Sequence, residues 1–451
     1  MRIMHYSLGF PPYRRGGMTK YCVDLMIEQK KAGYDVGMIW PGRLTTINGA
    51  SYIKKKSKNI ISDIDLDSFE LINPMPVPLL DGISDINPFV ASKSNNKYKV
   101  FWDKYKPEVL HVHTLMGLPY ELVKEAKECG IKIIFTTHDY FGLCPRGSLF
   151  YEGNNCTDMC NCTQCNKNAL SLKKIKILQS PLYRTIKDTF FIKILRSNHA
   201  LKVANIDHEN DLPINAKINN SEYGLLRNYY LSFFELFDTI HFNSSLTMQI
   251  YNKFYDAHNK SVVLNISHGD IKDCRKLKKT HDKIMLGYLG SCVDNRKGFY
   301  LLKHALDMVN KKYHGLFVLK TYGECPYDDD YLCKNEHYRY SDLPQVLEGI
   351  DIVILPSIWY ETFGFTALEA LSYAVPVVVT DHVGAKDIIC NGKNGFVVEC
   401  NEYALERVLE RIIEDKKIIG TMNNYIIDEM TIKDMQEHST EICNLYLTLC
   451  N

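Results

Sequence analysis

Pro356-Ser357-Ile358-Trp359-Tyr360-Glu361-Thr362-Phe363-Gly364-Phe365-Thr366-Ala367-Leu368-Glu369-Ala370 is the stretch on which the reading of this chain turns. The apolar run Ile350 to Leu355 stands before it, and Phe365 to Tyr373 has helical spacing, so the segment reads as a loop leading from a strand into a helix. Pro376 to Thr380 follows as another strand, and its Val377-Val378-Val379 run suits a strand buried on both faces. Strand, helix, strand is a βαβ unit. Such units build parallel sheets that bind ligands beyond the carboxyl ends of their strands. Backbone N–H groups around Phe363 to Phe365 can receive a phosphate there, and Gly364 lets the backbone approach a ligand closely. Glu361 and Glu369 can then address different parts of one molecule. The plainer reading of both glutamates is capping and solvation, since acidic residues favour helix starts.

The same pattern extends in both directions. Lys283 to Gly290 and Leu316 to Tyr322 read as strands, with helices at Leu301 to Asn310 and Leu343 to Gly349. Near the start, Arg2 to Leu8 and Tyr34 to Trp40 read as strands around a Gly- and Pro-rich loop and the helix Met18 to Ala32. Val109 to His113, Ile131 to Thr137 and Asp238 to Phe242 add strands, with a helix over Leu118 to Cys129. These readings predict an α/β protein with two Rossmann-like parallel domains facing a cleft. Residues 1–266 form the first domain, with a Cys-rich and basic insertion over about 142–236. A polar linker spans 267–282 and the second domain 283–430. Residues 431–451 form a helix expected to pack back on the first domain.

Composition narrows the function. The 451 residues are 45% hydrophobic and carry 54 basic against 53 acidic side chains, a net charge of +1, so a bulk nucleic-acid binder is not expected. No run of 18 uncharged apolar residues occurs, so no spanning segment is expected. The opening MRIMHYSLGF brings a histidine, Gly9 and Pro11 too early for a secretion leader, which predicts a cytoplasmic protein.

Other candidate positions lie at predicted strand ends. Gly16 and Gly17 follow the first strand, either as a close-approach loop at a helix start or as a plain turn. No G-x-G-x-x-G accompanies them, which weakens a dinucleotide reading. Arg296 and Lys297 follow Gly287-Tyr288-Leu289-Gly290 and can neutralise a pyrophosphate, or form a solvated basic turn. His138 ends the strand through Thr137, and His113 ends its neighbour; a lone histidine is as often structural as functional. Cys144, Cys156, Cys162 and Cys165 supply four thiolates, enough for a closed structural Zn²⁺ site, with unliganded thiols as the alternative. A disulfide is disfavoured in the cytosol. Cys22, Cys129, Cys292 and Cys390 read as small core residues. Finally, Leu170 to Ile206 holds eight basic residues and one acidic one with apolar residues interleaved. That pattern reads as a membrane-surface element or as helices with a solvated basic face.

The order D-I-V-I-L-P-S, E-x7-E with an embedded F-G, P-V-V-V-T, Gly384 and Asn394-Gly395 resembles the retaining glycosyltransferase family 4 (glycosyltransferase group 1). The resemblance covers nearly the whole chain and is weakest over about 170–235. It implies the GT-B fold, and a glycosyltransferase that moves a sugar from a nucleotide-sugar donor to a glycan or lipid-linked acceptor in surface polysaccharide biosynthesis. It implies that Glu361 contacts the donor sugar, Glu369 the ribose, Lys297 the diphosphate and His138 the sugar, with Gly16 and Gly17 facing the donor. Ser291 stands where the family carries an arginine, so Arg296 is the candidate replacement. No cofactor is expected for catalysis, and an anionic membrane surface is an expected partner. Two other readings stay open: a nucleotide-sugar epimerase or phosphorylase on the same fold, and a non-catalytic nucleotide-sugar-binding subunit.

Overall fold

The computed structural model describes residues 1–45, 49–79, 82–93, 97–156, 161–187, 189, 220–278 and 281–451. Among these residues it holds two large sheets and a two-stranded hairpin of β8 (Phe150–Tyr151) with β9 (Asn154–Asn155). The first runs β11-β10-β7-β6-β1-β2-β5-β3, with β4 pairing β5. Its strands are β1 (Arg2–Tyr6), β2 (Asp35–Pro41), β3 (Tyr52–Lys55), β4 (Asn59–Ile61), β5 (Ile64–Ile72), β6 (Val109–Val112), β7 (Lys132–Thr137), β10 (Thr239–Phe242) and β11 (Ser261–Val263). All pair in parallel except β3 and β4, which run antiparallel to β5. The second sheet is parallel throughout, in the order β14-β13-β12-β15-β16-β17. Its strands are β12 (Ile284–Tyr288), β13 (Phe317–Tyr322), β14 (Leu332–Asn335), β15 (Ile352–Leu355), β16 (Val377–Thr380) and β17 (Gly395–Val398).

Reading outward from β12, that order is 3-2-1-4-5-6, the doubly wound Rossmann arrangement, and β5-β2-β1-β6-β7-β10 repeats it in the first sheet. The chain order reverses between β1 and β6, and between β12 and β15. Ligands are received beyond the strand ends at those two points. The central strands are buried because their residues are apolar on both faces: Ile352–Leu355 and Val377–Thr380 are buried along their whole length.

The strands that sequence patterning left unread are β3, β4, β5, β8, β9, β11, β14 and β17. The run IDLDSFELI of β5 alternates aspartates with apolar residues in its first half, which masks a strand buried only from Ser68 onward on both faces. The polar segment between the sheets is not a loose tether. Lys20 pairs with Asp270 at 2.7 Å, the Gly269 N–H donates to Asp24 at 2.7 Å, and Arg275 donates to the carbonyls of Ile426 and Met430. The last helix, Met435–Cys450, lies against Gly17–Lys31 of the first domain, where Tyr21, Leu25, Ile442, Cys443 and Tyr446 share one apolar cluster. Cys22 and Cys292 are buried, but Cys129 is only half-buried and Cys390 is exposed, because Cys390 sits in the turn before β17 and not in a helix.

Candidate active site

Two loops at the switch point of the second sheet meet. One follows β12 and carries Arg296 and Lys297 in a single helical turn, Asn295–Lys297. The other follows β15 and carries Ser357 to Gly364. Gly298, at φ 71°, joins them: a Cβ there would lie 1.8 Å from the Pro356 carbonyl oxygen, so only glycine allows the approach. The Ile358 N–H donates to the Arg296 carbonyl at 3.0 Å. Thus locked, Lys297 Nζ donates to Glu361 Oε1 at 2.6 Å, and Ser357 Oγ donates to the other carboxylate oxygen.

Arg296 does not join this pair. Its Nε donates to Asp294 Oδ1 at 2.9 Å and an Nη to Oδ2 at 2.7 Å, and its guanidinium lies over the Trp359 ring. A charge held by its own carboxylate does little to replace the arginine missing at Ser291. Lys297 also lies 5.8 Å from the Trp359 ring centre, and the Trp359 indole N–H has no hydrogen-bond partner among the described residues.

Helix Phe365–Leu371 follows, with Gly364 at φ 96° as its N-cap. Glu369 lies on this helix, half-buried, with Oε1 3.2 Å from His268 Nε2. His268 packs edge-on against Phe365 and Tyr340. Burial, and then the Glu369 charge, push the Tyr338 hydroxyl up to about 12.

The first domain closes over these groups. A Cβ on Gly17 would lie 3.6 Å from the Phe365 ring, so the loop after β1 faces the helix start directly. Gly16, at φ 114°, caps the helix Gly17–Lys31. His138 directly follows β7, and its carbonyl accepts from Thr362 Oγ1 at 3.2 Å. The Thr362 carbonyl in turn accepts from Ser244 Oγ at 2.6 Å. Burial holds the His138 ring at about 3, so it is neutral, and raises the neighbouring Asp139 to about 6 against the opposing Phe141 N–H. The hairpin β8 (Phe150–Tyr151) and β9 (Asn154–Asn155) also reaches across: Asn155 Nδ2 donates to the Ile358 carbonyl at 2.7 Å, and the Tyr360 N–H donates to Asn155 Oδ1 at 3.1 Å.

Sequence reading therefore placed Glu361, Lys297, Glu369, Phe363, Gly364, Phe365, Gly16, Gly17 and His138 around one junction, and the structure gathers them there. It missed Asn155, His268 and Trp359. Trp359 lies inside the Pro356–Ala370 stretch without a charge to mark it, whereas Asn155 and His268 lie in no recognisable motif and reach the site from outside the two loops. His113 is wholly buried behind His138, off the cleft surface.

The cysteines behave differently. Burial, and then the Cys144 sulfur, push Cys162 up to about 11 and Cys165 to about 12. Among the described residues, the metal-competent group with all ligand atoms within 4.8 Å is His5, His111 and His113, and no three of these sulfurs meet that distance. Tetrahedral zinc would draw its thiolates to about 3.8 Å from one another, given Zn–S bonds near 2.3 Å. Cys144, Cys156, Cys162 and Cys165 thus do not by themselves make the closed set expected; Cys160 lies outside the described residues. A surface hollow of about 400 Å³ beside Tyr52, Lys97 and Phe101 is remote from the cleft.

Residues 270–428 match the family described as Glycosyl transferases group 1. The chain carries a group 1 glycosyl transferase domain. That domain holds Lys297, Glu361 and Glu369. Among curated proteins, the capsular polysaccharide biosynthesis glycosyltransferase CapM of Staphylococcus aureus is 26% identical over 158 residues, 33% of this chain and 41% of that protein. The UDP-Gal:alpha-D-GlcNAc-diphosphoundecaprenol alpha-1,3-galactosyltransferase of Escherichia coli is 32% identical over 77 residues, 17% of this chain and 20% of that protein. The chain thus matches less than half the length of either relative. The structure of Anabaena HepE in complex with UDP and glucose aligns with a TM-score of 0.52 at 14% identity, over 99% of this chain and all of that one. The fold is GT-B: two Rossmann-like domains with the group 1 domain as the second.

Proposed function

We propose that this chain is a retaining glycosyltransferase that moves a sugar from a nucleotide-sugar donor to a glycan or lipid-linked acceptor in surface polysaccharide assembly. The observation that carries the reading is the Lys297–Glu361 pair, 2.6 Å apart at the strand ends of the group 1 domain, with Gly17 of the first domain against Phe365 and the His138 carbonyl bonded to Thr362 beside it. Lys297 neutralises the leaving diphosphate as its charge develops, which lowers the barrier electrostatically. Glu361 holds the donor sugar, Glu369 with His268 holds the ribose hydroxyls, and a neutral His138 meets a sugar hydroxyl. The positive charge for the diphosphate comes from Lys297 and backbone N–H groups around Phe363 to Phe365. No step needs the cysteine cluster.

The relatives support the class of donor and acceptor: HepE binds UDP, and the Escherichia coli relative is named for a lipid-diphosphate acceptor. The surface next to the cleft suits a lipid-linked acceptor. On the helices Leu172–Leu178 and Pro181–Ile186, Ile177 and Leu182 stand 61% and 70% exposed beside Lys173 and Lys174. Lys187 instead reaches the Tyr13 carbonyl and ring, and Lys193, Arg196 and Lys202 lie outside the described residues. Among the described residues no helix is long and apolar enough to cross a membrane.

The test is a panel of nucleotide sugars, read first by thermal shift and then by sugar transfer to lipid diphosphate acceptors, with the anomeric configuration of the product determined by NMR. Transfer with retention, abolished by Glu361→Ala, supports the reading. Inversion, or donor turnover that is indifferent to acceptor, rejects it.

A further inference from the structure

Behind the cleft, a line of buried side chains crosses the first sheet. His5 on β1 stands opposite His111 on β6, and Thr136 on β7 opposite His241 on β10. His138 Nε2 lies 3.3 Å from His113 Nδ1, and His113 Nε2 lies 3.0 Å from His5 Nδ1. His5 Nε2 lies 2.8 Å from Gln29 Oε1, and Gln29 Nε2 donates to the Tyr446 hydroxyl at 3.1 Å. Tyr446 lies 2.6 Å from His111 Nδ1, and His111 Nε2 lies 2.6 Å from Thr136 Oγ1. Thr136 Oγ1 lies 2.9 Å from His241 Nδ1, and the line ends where His241 Nε2 meets the Leu264 carbonyl at 2.8 Å.

The end point decides the direction of every bond. A carbonyl only accepts, so His241 Nε2 carries its proton. The ring is neutral, because burial holds it at about 3, so Nδ1 is bare and accepts from Thr136. Thr136 has then spent its proton and must accept from His111 Nε2–H. Burial keeps His111, His113 and His5 neutral too, the last at about 4, so each ring has one donor and one acceptor. His111 Nδ1 accepts from Tyr446, Tyr446 accepts from Gln29 Nε2, and Gln29 Oε1 accepts from His5 Nε2–H. His5 Nδ1 accepts from His113 Nε2–H, and His113 Nδ1 accepts from His138 Nε2–H. The reverse polarity satisfies every internal link if the Gln29 amide turns over, and it fails only at Leu264, where two lone pairs would face each other. All six ring nitrogens of His5, His111 and His113 are occupied in this way, which leaves no lone pair for a metal ion in the space they enclose.

We infer that this line is a hydrogen-bond relay, anchored on the Leu264 carbonyl, that fixes His138 as the Nε2–H tautomer and presents its bare Nδ1 to a hydroxyl donor of the sugar. The inference rests on the proposed donor contact of His138 only for its consequence; the tautomer is a property of the chain alone. His138 Nδ1 makes no hydrogen bond among the described residues, so it is left for a ligand. His5, His111, His113, Thr136, His241, Gln29 and Tyr446 are positioning residues, and Tyr446 brings the C-terminal helix into the site.

The experiment uses the full chain with ¹⁵N-labelled histidine. Ring nitrogen shifts of His138, assigned by comparison with His138→Ala, are read in the parent and in Tyr446→Phe and Thr136→Val, each nearly isosteric and each cutting the relay between His138 and its anchor. The parent should show Nε2 protonated and Nδ1 bare. Both variants should show a second population, approaching half, with Nδ1 protonated, and Thr136→Ser should restore the single form. Donor kcat/KM should then fall about twofold in the cut variants, as expected when half the molecules are competent. A role in packing alone would lower Tm without changing the tautomer. Nδ1–H in the parent, an unchanged His138 in both cut variants, or a stoichiometric metal ion bound to His5, His111 and His113 overturns the relay. Absence of transfer with every donor would reject the enzymatic reading, and the ring shifts would still decide the relay.

Discussion

Replacing Lys297 by Met separates a catalytic charge from a structural one. Lys297 and Glu361 are 2.6 Å apart, but their side chains keep 32% and 14% of their exposure, so solvent screens the pair. Ion pairs of that kind contribute about 0–1 kcal/mol to stability. For a domain of this size that moves Tm by no more than about 2–4 °C. The methionine keeps the aliphatic stem beside Trp359, and Ser357 still donates to Glu361, so the carboxylate is not stranded. Catalysis feels the change quite differently. A donor group aimed at charge developing on a leaving group is worth about 10²–10³ in kcat, near 2.7–4 kcal/mol. Initial rates with a radiolabelled nucleotide sugar and a calorimetric melt on the same preparation measure both quantities. Lys297→Met should lose at least about a hundredfold in kcat with a Tm change under about 4 °C. A kcat within tenfold of the parent, or a much larger Tm loss, refutes the assignment and makes the pair a structural clasp.

Four other outcomes follow from the same geometry. Glu369→Gln keeps a partner for His268 but removes the charge, and should raise donor KM by about 10- to 100-fold, the range of a charge-assisted hydrogen bond, with kcat little changed. Asn155→Ala removes two hydrogen bonds that steady the loop before Glu361, and should raise donor KM by about 3- to 10-fold; an unchanged KM in steady-state assays would show that the hairpin does not support the donor. Stability should fall steeply as the pH drops from about 6.5 toward 4, because His5, His138 and His241 are held at about 4, 3 and 3 by burial while the unfolded chain protonates near 6.5; each such histidine adds a slope of about 1.4 kcal/mol per pH unit, and a Tm flat from pH 7 to 4.5 would contradict the buried network. The chain should sediment with vesicles containing anionic lipid and be released by high salt, and Lys173→Glu with Lys174→Glu should weaken that binding while donor binding stays intact.

The side of the cleft that carries Lys297 and Glu361 was legible in the sequence because there the chemistry and the backbone signal coincide. The strands before Lys297 and Glu361 are short apolar runs, and their loops carry the glycines and charges themselves. The same logic fails where a residue acts from a distance. Asn155 sits in a two-residue strand within a cysteine-rich insert, and nothing local says that it will bond Ile358 and Tyr360 some 200 positions on. His268 lies in a segment that reads as linker, yet it is 1% exposed and meets Glu369. Arg296 looked like the replacement for a missing arginine until Asp294, two residues before it, proved to be its partner. His5, His111 and His241 were hidden for a different reason. Each is a single polar residue inside a short buried strand, and only the register of β1 with β6, and of β7 with β10, puts it beside its relay neighbour.

That register also bears on how the two domains act together. The loop that carries Glu361 is held by its own domain through Gly298, and by the first domain through Asn155, Ser244 and the His138 carbonyl. Ser245 and Asn265 add hydrogen bonds to Asp387 beside it, Ser245 N–H at 2.6 Å and Asn265 Nδ2 at 3.2 Å. None of these bonds survives a rotation of one domain against the other by more than an ångström or two, since hydrogen bonds weaken steeply with distance and angle. Opening the cleft therefore releases the same loop that positions Glu361 against Lys297. The loop that carries Glu361 and the domain junction are one mechanical unit, and a ligand that tightens the loop tightens the junction by the same free energy, by linkage.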